Sequence, residues 1–255
     1  MAELALLQAR GLSKSFGGVR AVDGLSLSVT PGRMLALMGP NGAGKSTTFN
    51  LLNGQLKPDS GEVLVAGQRI DTHEPQAMWQ MGVGRTFQIA QTFMHLPALV
   101  QVQLALLAKD KQLGWRWWQG LFTPLAHQFK EEAMHQLDQL GLADHAWQTP
   151  SSMSYGWVKR LELALCLCQR PRVLLMDEPT TGLGRDERIS LMQTVRHLAQ
   201  AHAIAVVFTE HSLDAVFGFA DDMVLMAQGR LVAQGHPDEV RRMPEAKAVY
   251  FGGNE

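Results

Sequence analysis

Short apolar runs recur along the chain and alternate with a segment of helical periodicity. The run Met34–Met38 is wholly apolar and is followed by a glycine, which is typical of a strand buried on both faces. Residues 173–176 and 204–208 show the same pattern, and residues 186–202 between them have apolar positions at helical spacing. Buried strands that alternate with helices predict an α/β protein with a parallel sheet.

Other segments predict additional strands. Residues 25–29 alternate strictly between apolar and polar side chains, as a half-buried strand does, and strands are also predicted at 5–10 and 62–66. Near the end of the chain, two apolar runs within residues 223–233 flank the dipeptide Gln228-Gly229. A two-residue link that ends in glycine between two such runs predicts a hairpin.

Residues 91–157 differ in composition from the rest of the chain, because they are rich in glutamine and leucine and contain few strand-like runs. We interpret them as an inserted helical lobe. Within it, residues 115–122 form the densest aromatic cluster of the chain, with an arginine among the tryptophans. This cluster fits either internal packing of the lobe or an interfacial patch beside a membrane subunit.

Chain length, net charge and cysteine content limit the classes of protein to which this chain can belong. The chain has 255 residues and a net charge of −1, and without a basic run it gives no indication of nucleic acid as a partner. Its two cysteines, Cys166 and Cys168, fit no zinc pattern and are expected to be buried in a reducing compartment. The start lacks a basic leader, and no apolar run reaches the roughly 18 residues that span a bilayer.

The strand Met34–Met38 leads into a motif with a defined chemistry. Residues Gly39 to Ser46 fit the phosphate-loop pattern G-x-x-x-x-G-K-S, and residues 46–52 predict the helix that this motif requires. Its glycines let backbone N–H groups point at an anion, while Lys45 would reach the β- and γ-phosphates and the Ser46 hydroxyl would bind Mg²⁺. The alternative is a glycine-rich turn with no chemical role.

Polar residues also follow the later buried strands. Asp177 and Glu178 come directly after residues 173–176, at the strand end where ligands bind in parallel sheets. Asp177 is placed to hold Mg²⁺, and Glu178 is placed to orient or deprotonate the water that attacks a γ-phosphate. His211 follows the next strand and is a candidate contact to that phosphate or water. Phe16 is either a core residue or an aromatic platform for a purine.

At this point the chain resembles the nucleotide-binding subunits of ATP-binding cassette transporters over roughly residues 5–251. The features that carry the resemblance are, in chain order, Phe16, the phosphate loop, Gln88, Ser154-Tyr155-Gly156, Asp177-Glu178 and His211. A finer resemblance is to the ATPases of branched-chain amino-acid and urea importers. It rests on Gly84-Arg85-Thr86-Phe87-Gln88, on Lys159-Arg160-Leu161-Glu162-Leu163-Ala164 after the signature, on the insertion at 115–122 and on Val249-Tyr250-Phe251-Gly252.

The resemblance implies a fold and a set of site residues. The fold is α/β, a RecA-like P-loop NTPase core (5–90 and 158–251) with an antiparallel β subdomain and an inserted α-helical subdomain (about 91–157). Contacts to ATP would come from Phe16, Gly39, Pro40, Asn41, Gly42, Ala43, Gly44, Lys45, Ser46 and Thr47. Glu178, His211 and Gln88 would be catalytic, and Ser46, Gln88 and Asp177 would hold Mg²⁺. Ser154, Tyr155 and Gly156 would contact ATP held by a partner subunit.

The resemblance also implies partners and a location. Two cassettes, identical or different, would face head to tail, and ATP would close the pair while hydrolysis reopens it. Integral membrane permeases and a periplasmic or extracellular solute-binding protein would complete an importer for a small polar solute. The cassette would lie on the cytoplasmic face of the inner membrane as a peripheral subunit.

Departures from the family pattern keep two alternatives open. Trp157 replaces a glutamine of the signature, Tyr155 replaces its middle glycine, and Gly184 stands where an aspartate or asparagine usually bridges the dimer. The importer ATPases that the chain resembles often have tyrosine at the Tyr155 position. Any weakening caused by Trp157 and Gly184 would fall on the ATP site formed with the partner's phosphate loop, so a catalytically weakened regulatory cassette of a heterodimeric transporter is one alternative. A cassette ATPase that acts on DNA or ribosomes is the other, although such proteins usually carry fused cassettes or coiled-coil insertions that this chain lacks.

Overall fold

The computed structural model describes residues 5–70, 75–109 and 129–251, and the aromatic cluster at 115–122 lies outside them. Within these ranges the strands are β1 (Leu7–Phe16), β2 (Val19–Val29), β3 (Met34–Met38), β4 (Ser60–Val65), β5 (Gln68–Arg69), β6 (Val83–Thr86), β7 (Val173–Asp177), β8 (Ala205–Thr209), β9 (Asp222–Ala227) and β10 (Arg230–Gly235). The α-helices are α1 (Lys45–Leu52), α2 (Ala98–Lys109), α3 (Lys130–Gln139), α4 (Tyr155–Leu167), α5 (Arg185–Ala201), α6 (Leu213–Phe219), α7 (Pro237–Arg242) and α8 (Pro244–Ala246). Short 3₁₀ or π segments cover Pro75–Met81, Ala143–His145, Pro150–Ser152 and Lys247–Phe251.

The described residues fall into two compact units. The first unit consists of the described residues of Met1–Gln88, Pro171–Thr181 and Arg188–Glu255, and it contains all ten described strands. One sheet has the strand order β2-β1-β4-β5 and is antiparallel. The other has the order β10-β9-β3-β8-β7-β6, in which every pair is parallel except β9 with β10. The α/β fold with an antiparallel β layer is therefore confirmed.

The parallel sheet follows directly from the apolar runs. All residues of β3 and β8 are buried, as strands covered on both faces must be. Parallel pairing places Asp177 opposite Thr209 at the carboxyl ends of β7 and β8, so the polar residues that follow these strands leave the sheet at the same edge. The strand β6 was not predicted, because its four residues include a glycine and an arginine.

The antiparallel sheet confirms the strand at 25–29 and corrects the boundaries nearby. Leu25, Leu27 and Val29 are buried while the serines between them are exposed. The first strand does not end near residue 10, as expected, but continues to Phe16, which pairs with Val19. Because the ladder continues to that pair, only Gly17-Gly18 remains as the turn.

The core of the first unit lies between the inner faces of the two sheets and helix α1. Leu12 and Val63 from the antiparallel sheet, Leu37 and Val207 from the parallel sheet, and Phe49 from α1 belong to one buried cluster. Burial of a side chain such as Phe49, which is fully inaccessible, contributes about 2 kcal/mol. This packing fixes α1, and therefore the loop before it, against the strand ends.

The predicted hairpin near the end of the chain is also confirmed. Strands β9 and β10 pair antiparallel, with Arg230 opposite Ala227. Gln228 and Gly229 have φ values of 49° and 79°, the left-handed pair of a type I′ turn. The hairpin therefore forms on local turn chemistry, as its sequence predicts.

The second unit consists of the described residues of Ile89–Arg170 and Gly182–Glu187. Helices α2, α3 and α4 form its core, and the buried Gln101 amide bonds both the N–H and the carbonyl of Phe93 and the carbonyl of Leu96. The described residues of the helical lobe predicted over about 91–157 fall within this unit. It continues to Arg170 because α4 is one uninterrupted helix through Leu167.

Candidate functional site

The phosphate-loop sequence lies between β3 and α1, with Gly44 as the residue that caps the helix. A Cβ atom at Gly39 would come within 2.2 Å of the Met226 carbonyl oxygen, and one at Gly44 within 2.3 Å of the Ala21 carbonyl oxygen. Both glycines also have positive φ, 149° and 98°. These two positions therefore exclude any side chain, and the backbone can turn tightly around the space in front of the helix.

The loop residues differ in exposure. Asn41, Gly42 and Ser46 are exposed, Pro40, Gly44, Lys45 and Thr47 are half-buried, and Gly39 and Ala43 are buried. The first turn of α1 carries no acidic residue, so its positive end is not neutralised from within the helix. An exposed helix start of this kind suits an anion such as a phosphate.

Lys45 connects this loop to the acidic residues of β7. Its Nζ atom donates hydrogen bonds to the carbonyl oxygens of Gly39 at 2.7 Å and Pro40 at 3.1 Å. Burial lowers the pKa of the Lys45 ammonium, while the Glu178 and Asp177 carboxylates raise it. The lysine and both carboxylates therefore share one electrostatic environment, as a site for a phosphate chain and a cation requires.

The acidic pair is fixed by Thr209, at the end of the neighbouring strand. The Thr209 hydroxyl donates to Asp177 Oδ1 at 2.8 Å and accepts from the Glu178 N–H at 2.9 Å. Glu178 has a φ of 46°, a left-handed conformation that costs a non-glycine residue about 1–2 kcal/mol. The threonine bridge stabilises that conformation and holds both carboxylates at the strand end.

The Glu178 carboxylate brings the three expected catalytic residues together. Its Oε1 atom lies 2.9 Å from Nε2 of His211, and its Oε2 atom accepts from Nε2 of Gln88 at 2.9 Å. The Thr181 hydroxyl also donates to Oε2, at 3.0 Å. A carboxylate oriented by three neighbours can position a water molecule and accept its proton.

The segment after Thr209 is held by a buried carboxylate. Glu210, only 3% exposed, accepts from the backbone N–H and the hydroxyl of Thr180 at 2.9 and 2.6 Å. It also accepts from the backbone N–H of His211 at 3.2 Å. Glu210 thus ties the loop after β7 to the loop after β8 and stabilises the placement of His211.

Sequence reasoning did not single out Thr209, Glu210 or the side chain of Arg85. Thr209 is the last residue of a buried strand beside the Asp177 strand and Glu210 follows it, and this position was the signal available for them. The Arg85 guanidinium lies 3.7 Å from Asp177 Oδ2. No local pattern reports such a contact, because the two residues are far apart in sequence.

Phe16 lies at the end of β1 and is 49% exposed, so its interpretation as a core residue is wrong. Lys14 Nζ lies 5.9 Å from the centre of its ring. An exposed ring of this kind has a face available for stacking.

The signature residues lie in the second unit. Ser154 precedes α4 with an extended backbone, and within the described chain its side chain makes no capping hydrogen bond. Tyr155 and Gly156 form the first turn of the helix. A Cβ atom at Gly156 would lie 2.9 Å from Glu187 Oε1, and the Gly184 N–H donates to the same carboxylate at 3.3 Å. Glu187 therefore links the start of α4 to the segment around Gly184.

Trp157 packs against its own unit. The centre of the Trp157 ring lies 4.4 Å from the centre of the His145 ring, and the Arg160 guanidinium lies 5.6 Å from the Trp157 ring centre. The tryptophan therefore contacts both an aromatic ring and a cation of its own unit.

The expected metal ligands are oxygen donors. Among residues 5–70, 75–109 and 129–251, no group of three or more His, Cys, Asp or Glu residues forms a ready-made metal cluster. This donor set nevertheless fits Mg²⁺, a hard cation that binds oxygen donors and typically combines one or two carboxylates with phosphate oxygens and water. The Ser46 hydroxyl, the Asp177 carboxylate and the Gln88 amide oxygen would supply oxygen donors of this kind.

Comparison with known proteins adds three findings. The family described as "ABC transporter" matches residues 22–181. The high-affinity branched-chain amino acid transport ATP-binding protein LivG of Escherichia coli K12 is 34% identical over 252 residues, covering 97% of this chain and 98% of LivG. Its counterpart BraF of Pseudomonas aeruginosa is also 34% identical, with the same coverage.

Among solved structures, the ADP conformation of an ATP-binding cassette of an ABC transporter superimposes with a TM-score of 0.84. The two chains share 27% sequence identity, over 98% of this chain and 99% of the other. The structural similarity therefore extends over nearly the full length of both chains. None of the described helices is both long and apolar enough to cross a membrane.

Proposed function

Since this chain belongs to the ABC transporter family of ATP-hydrolysing cassettes, we propose that it energises the import of a branched-chain amino acid or a related small polar solute. The family and its ATPase activity follow from the match over residues 22–181 and from relatives that are 34% identical along almost their full length. The cargo is inferred from what those relatives are described as transporting. Cargo is selected by other subunits, so the cassette supplies the energy for transport.

The observation that carries the catalytic proposal is the convergence of Gln88 and His211 on Glu178. In this proposal Lys45 and the amides at the start of α1 bind the β- and γ-phosphates, and Phe16 stacks on the adenine. Glu178 positions the attacking water and takes its proton. His211 holds the Glu178 carboxylate and contacts the γ-phosphate, and Gln88 responds to whether the γ-phosphate is bound.

We assign the Mg²⁺ ligands to Ser46, Asp177 and Gln88. Mg²⁺ held there would neutralise charge on the phosphate oxygens. The first unit then corresponds to the nucleotide-binding core and the second to the helical subdomain.

The second unit supplies the contacts to partners. Ser154 and Gly156 lie at the start of α4, where the described residues provide no side-chain cap, and they would bind the γ-phosphate of ATP held by a second cassette, identical or related. Ile89, Phe93 and Met94 are 74%, 64% and 47% exposed, and such apolar residues suit contact with a permease. A solute-binding protein outside the cell and a position on the cytoplasmic face of the inner membrane complete the proposal.

The test is ATP hydrolysis by the complex assembled with its permeases. Glu178→Gln keeps the side-chain shape but removes the proton acceptor, so turnover should fall at least about 100-fold while ATP binding is retained. Glu245→Gln, an exposed carboxylate elsewhere in the first unit, is the matched control. Equal turnover in the Glu178→Gln and control complexes would refute the catalytic assignment.

Two observations keep a weakened regulatory cassette as the second candidate. Gly184 offers no side chain to a dimer partner, and Trp157 stands one residue after Gly156. If ATP is bound but not hydrolysed by the wild-type complex, this second candidate is correct. A cassette that acts on DNA or ribosomes would instead fail to copurify with integral membrane proteins.

A further inference from the structure

Arg85 is a half-buried cation that connects helix α1 to the acidic strand β7. Its Nη1 atom donates to Gln55 Oε1 at 2.6 Å and to Asn50 Oδ1 at 3.2 Å. Its Nη2 atom lies 3.7 Å from Asp177 Oδ2. Asn50 belongs to α1 and Gln55 follows it closely, so a single planar group joins the far end of the phosphate-loop helix to Asp177.

Packing alone does not account for an arginine at this position. The guanidinium lies close to two aromatic rings, 5.5 Å from the centre of Phe49 and 5.0 Å from that of Phe87. Burial lowers the pKa of the Arg85 guanidinium, and the Asp177 carboxylate raises it. An apolar side chain of similar length would fill the same space without desolvating a charge, so the charge and the forked geometry have another use.

The role of the Arg85 charge follows from the contacts made by the Asp177 carboxylate. Thr209 donates to its Oδ1 atom at 2.8 Å, and Arg85 faces its Oδ2 atom. Two partners on opposite oxygens fix the rotation of the carboxylate about its terminal bond. Because Arg85 is itself anchored on the α1 side, it fixes Asp177 relative to the helix that starts with Lys45 and Ser46.

We propose that Arg85 is a positioning residue that sets the geometry between Asp177 and the phosphate-loop helix for metal–nucleotide binding. This inference rests on the proposed function, because it assumes that Asp177 and Ser46 share a metal ion. Residues behind metal ligands typically change metal affinity by about 10- to 100-fold when they are altered.

The Arg85 guanidinium also contacts the segment that leads to Gln88. Arg85 and Thr86 end β6, and the Arg85 guanidinium lies 5.0 Å from the ring centre of Phe87, the residue before Gln88. Gln88 then reaches Glu178 Oε2 at 2.9 Å. Loss of Arg85 should therefore disturb Gln88 together with Asp177.

The experiment measures metal affinity directly on the full chain. Mn²⁺ replaces Mg²⁺, ADP is present at saturation, and free Mn²⁺ is read from its electron paramagnetic resonance signal. Arg85→Met should raise the Mn²⁺ dissociation constant about 10-fold. Arg85→Lys keeps the charge but not the fork, so it should recover only part of that affinity.

A matched control separates positioning from stability. Arg196 also makes two contacts inside the first unit, to the Phe219 carbonyl at 2.7 Å and to Asp221 Oδ1 at 2.9 Å, at a distance in sequence from the site. Arg196→Met should lower the melting temperature without changing Mn²⁺ affinity. An Arg85→Met chain that melts lower but binds Mn²⁺ like wild type would overturn the proposal.

Gln55→Ala decides the question if Arg85→Met does not fold. Gln55 is exposed, so its truncation removes only the 2.6 Å anchor of the guanidinium, and the Mn²⁺ dissociation constant should rise about threefold. Unchanged affinity in this variant would then overturn the proposal. A wild-type complex that binds Mn²⁺–ADP but hydrolyses no ATP would refute the proposed function. The role of Arg85 in metal binding would still be decided by the Mn²⁺ dissociation constants of the variants.

Discussion

The Nε2 atom of His211 lies 2.9 Å from Oε1 of Glu178, although 33 residues separate the two in sequence. The parallel pairing of β7 with β8 brings them together, because Asp177 and Thr209 are in register at the strand ends. Glu210 then fixes the histidine backbone through a hydrogen bond of 3.2 Å. The catalytic proposal depends on this pair more than on any other contact.

His211→Ala should lower the turnover of the assembled complex about 100-fold while leaving ATP affinity nearly unchanged. The physical reason is that Glu178 loses one of its three orienting partners, so the carboxylate no longer holds the attacking water in position. Turnover and nucleotide binding should be measured separately. His202→Ala, at the exposed end of α5, is the control, and a similar turnover for both variants would contradict the prediction.

Nucleotide affinity should weaken at alkaline pH because of Lys45. Burial lowers the pKa of its ammonium below the ordinary 10.5, so the proton is lost at lower pH than from an exposed lysine. Phosphate binds the charged form, so affinity is full below the lowered pKa and falls about 10-fold per pH unit above it. Titration with a fluorescent ADP analogue checks this loss.

Lys45→Arg provides the control for that titration. A guanidinium keeps its charge throughout the alkaline range, so whatever affinity this variant retains should not fall between about pH 8 and about pH 10. A parallel decline in both proteins would assign the pH dependence to another group.

Gly44→Ala should destabilise the chain by more than about 3 kcal/mol, because its Cβ atom would come within 2.3 Å of the Ala21 carbonyl oxygen. Gly42→Ala is the matched control. Gly42 also has a positive φ, 79°, but within the described residues nothing lies within 4 Å of its added Cβ. Its cost should be only the backbone strain of about 1 kcal/mol. Urea unfolding of both variants gives the comparison, and equal losses would contradict the steric argument.

Trp157→Gln restores the usual signature residue and tests the asymmetry expected from the sequence. If Trp157 weakens one of two ATP sites, turnover of the assembled complex should rise about twofold at most. The variant also loses the stacking on His145 and Arg160, so the melting temperature must be recorded alongside turnover. Trp147→Gln, at a 66% exposed position of the same unit, is the control. An unchanged rate, with both wild-type sites equally active, would reject the idea.

Cys168 should resist alkylation in the native chain. Burial raises the pKa of its thiol to about 12, so only about one thiol in ten thousand is ionised at pH 8. Cys166 is half-buried rather than buried, so it departs from the expectation that both cysteines are buried and should react first. Mass spectrometry after timed iodoacetamide treatment distinguishes the two. Equal labelling before denaturation would contradict the predicted order.

The sequence by itself determined the features that depend on neighbouring residues. The apolar runs at 34–38, 173–176 and 204–208 predicted the central strands, and Gln228-Gly229 predicted the hairpin turn. The phosphate-loop pattern was likewise readable, because its steric demands at Gly39 and Gly44 require glycine. Burial pattern, turn chemistry and glycine geometry all act over a few residues, so a linear reading is sufficient for them.

Only the tertiary structure decided which distant side chains share the site. Thr209 joins Asp177 to Glu178, Glu210 holds the loop of His211, and Arg85 faces Asp177 from a strand that the sequence did not reveal. The exposure of Phe16 was decided in the same way, by how far β1 extends. These relationships arise from strand order and register between segments far apart in the chain, and the periodicity within a single segment contains no information about them.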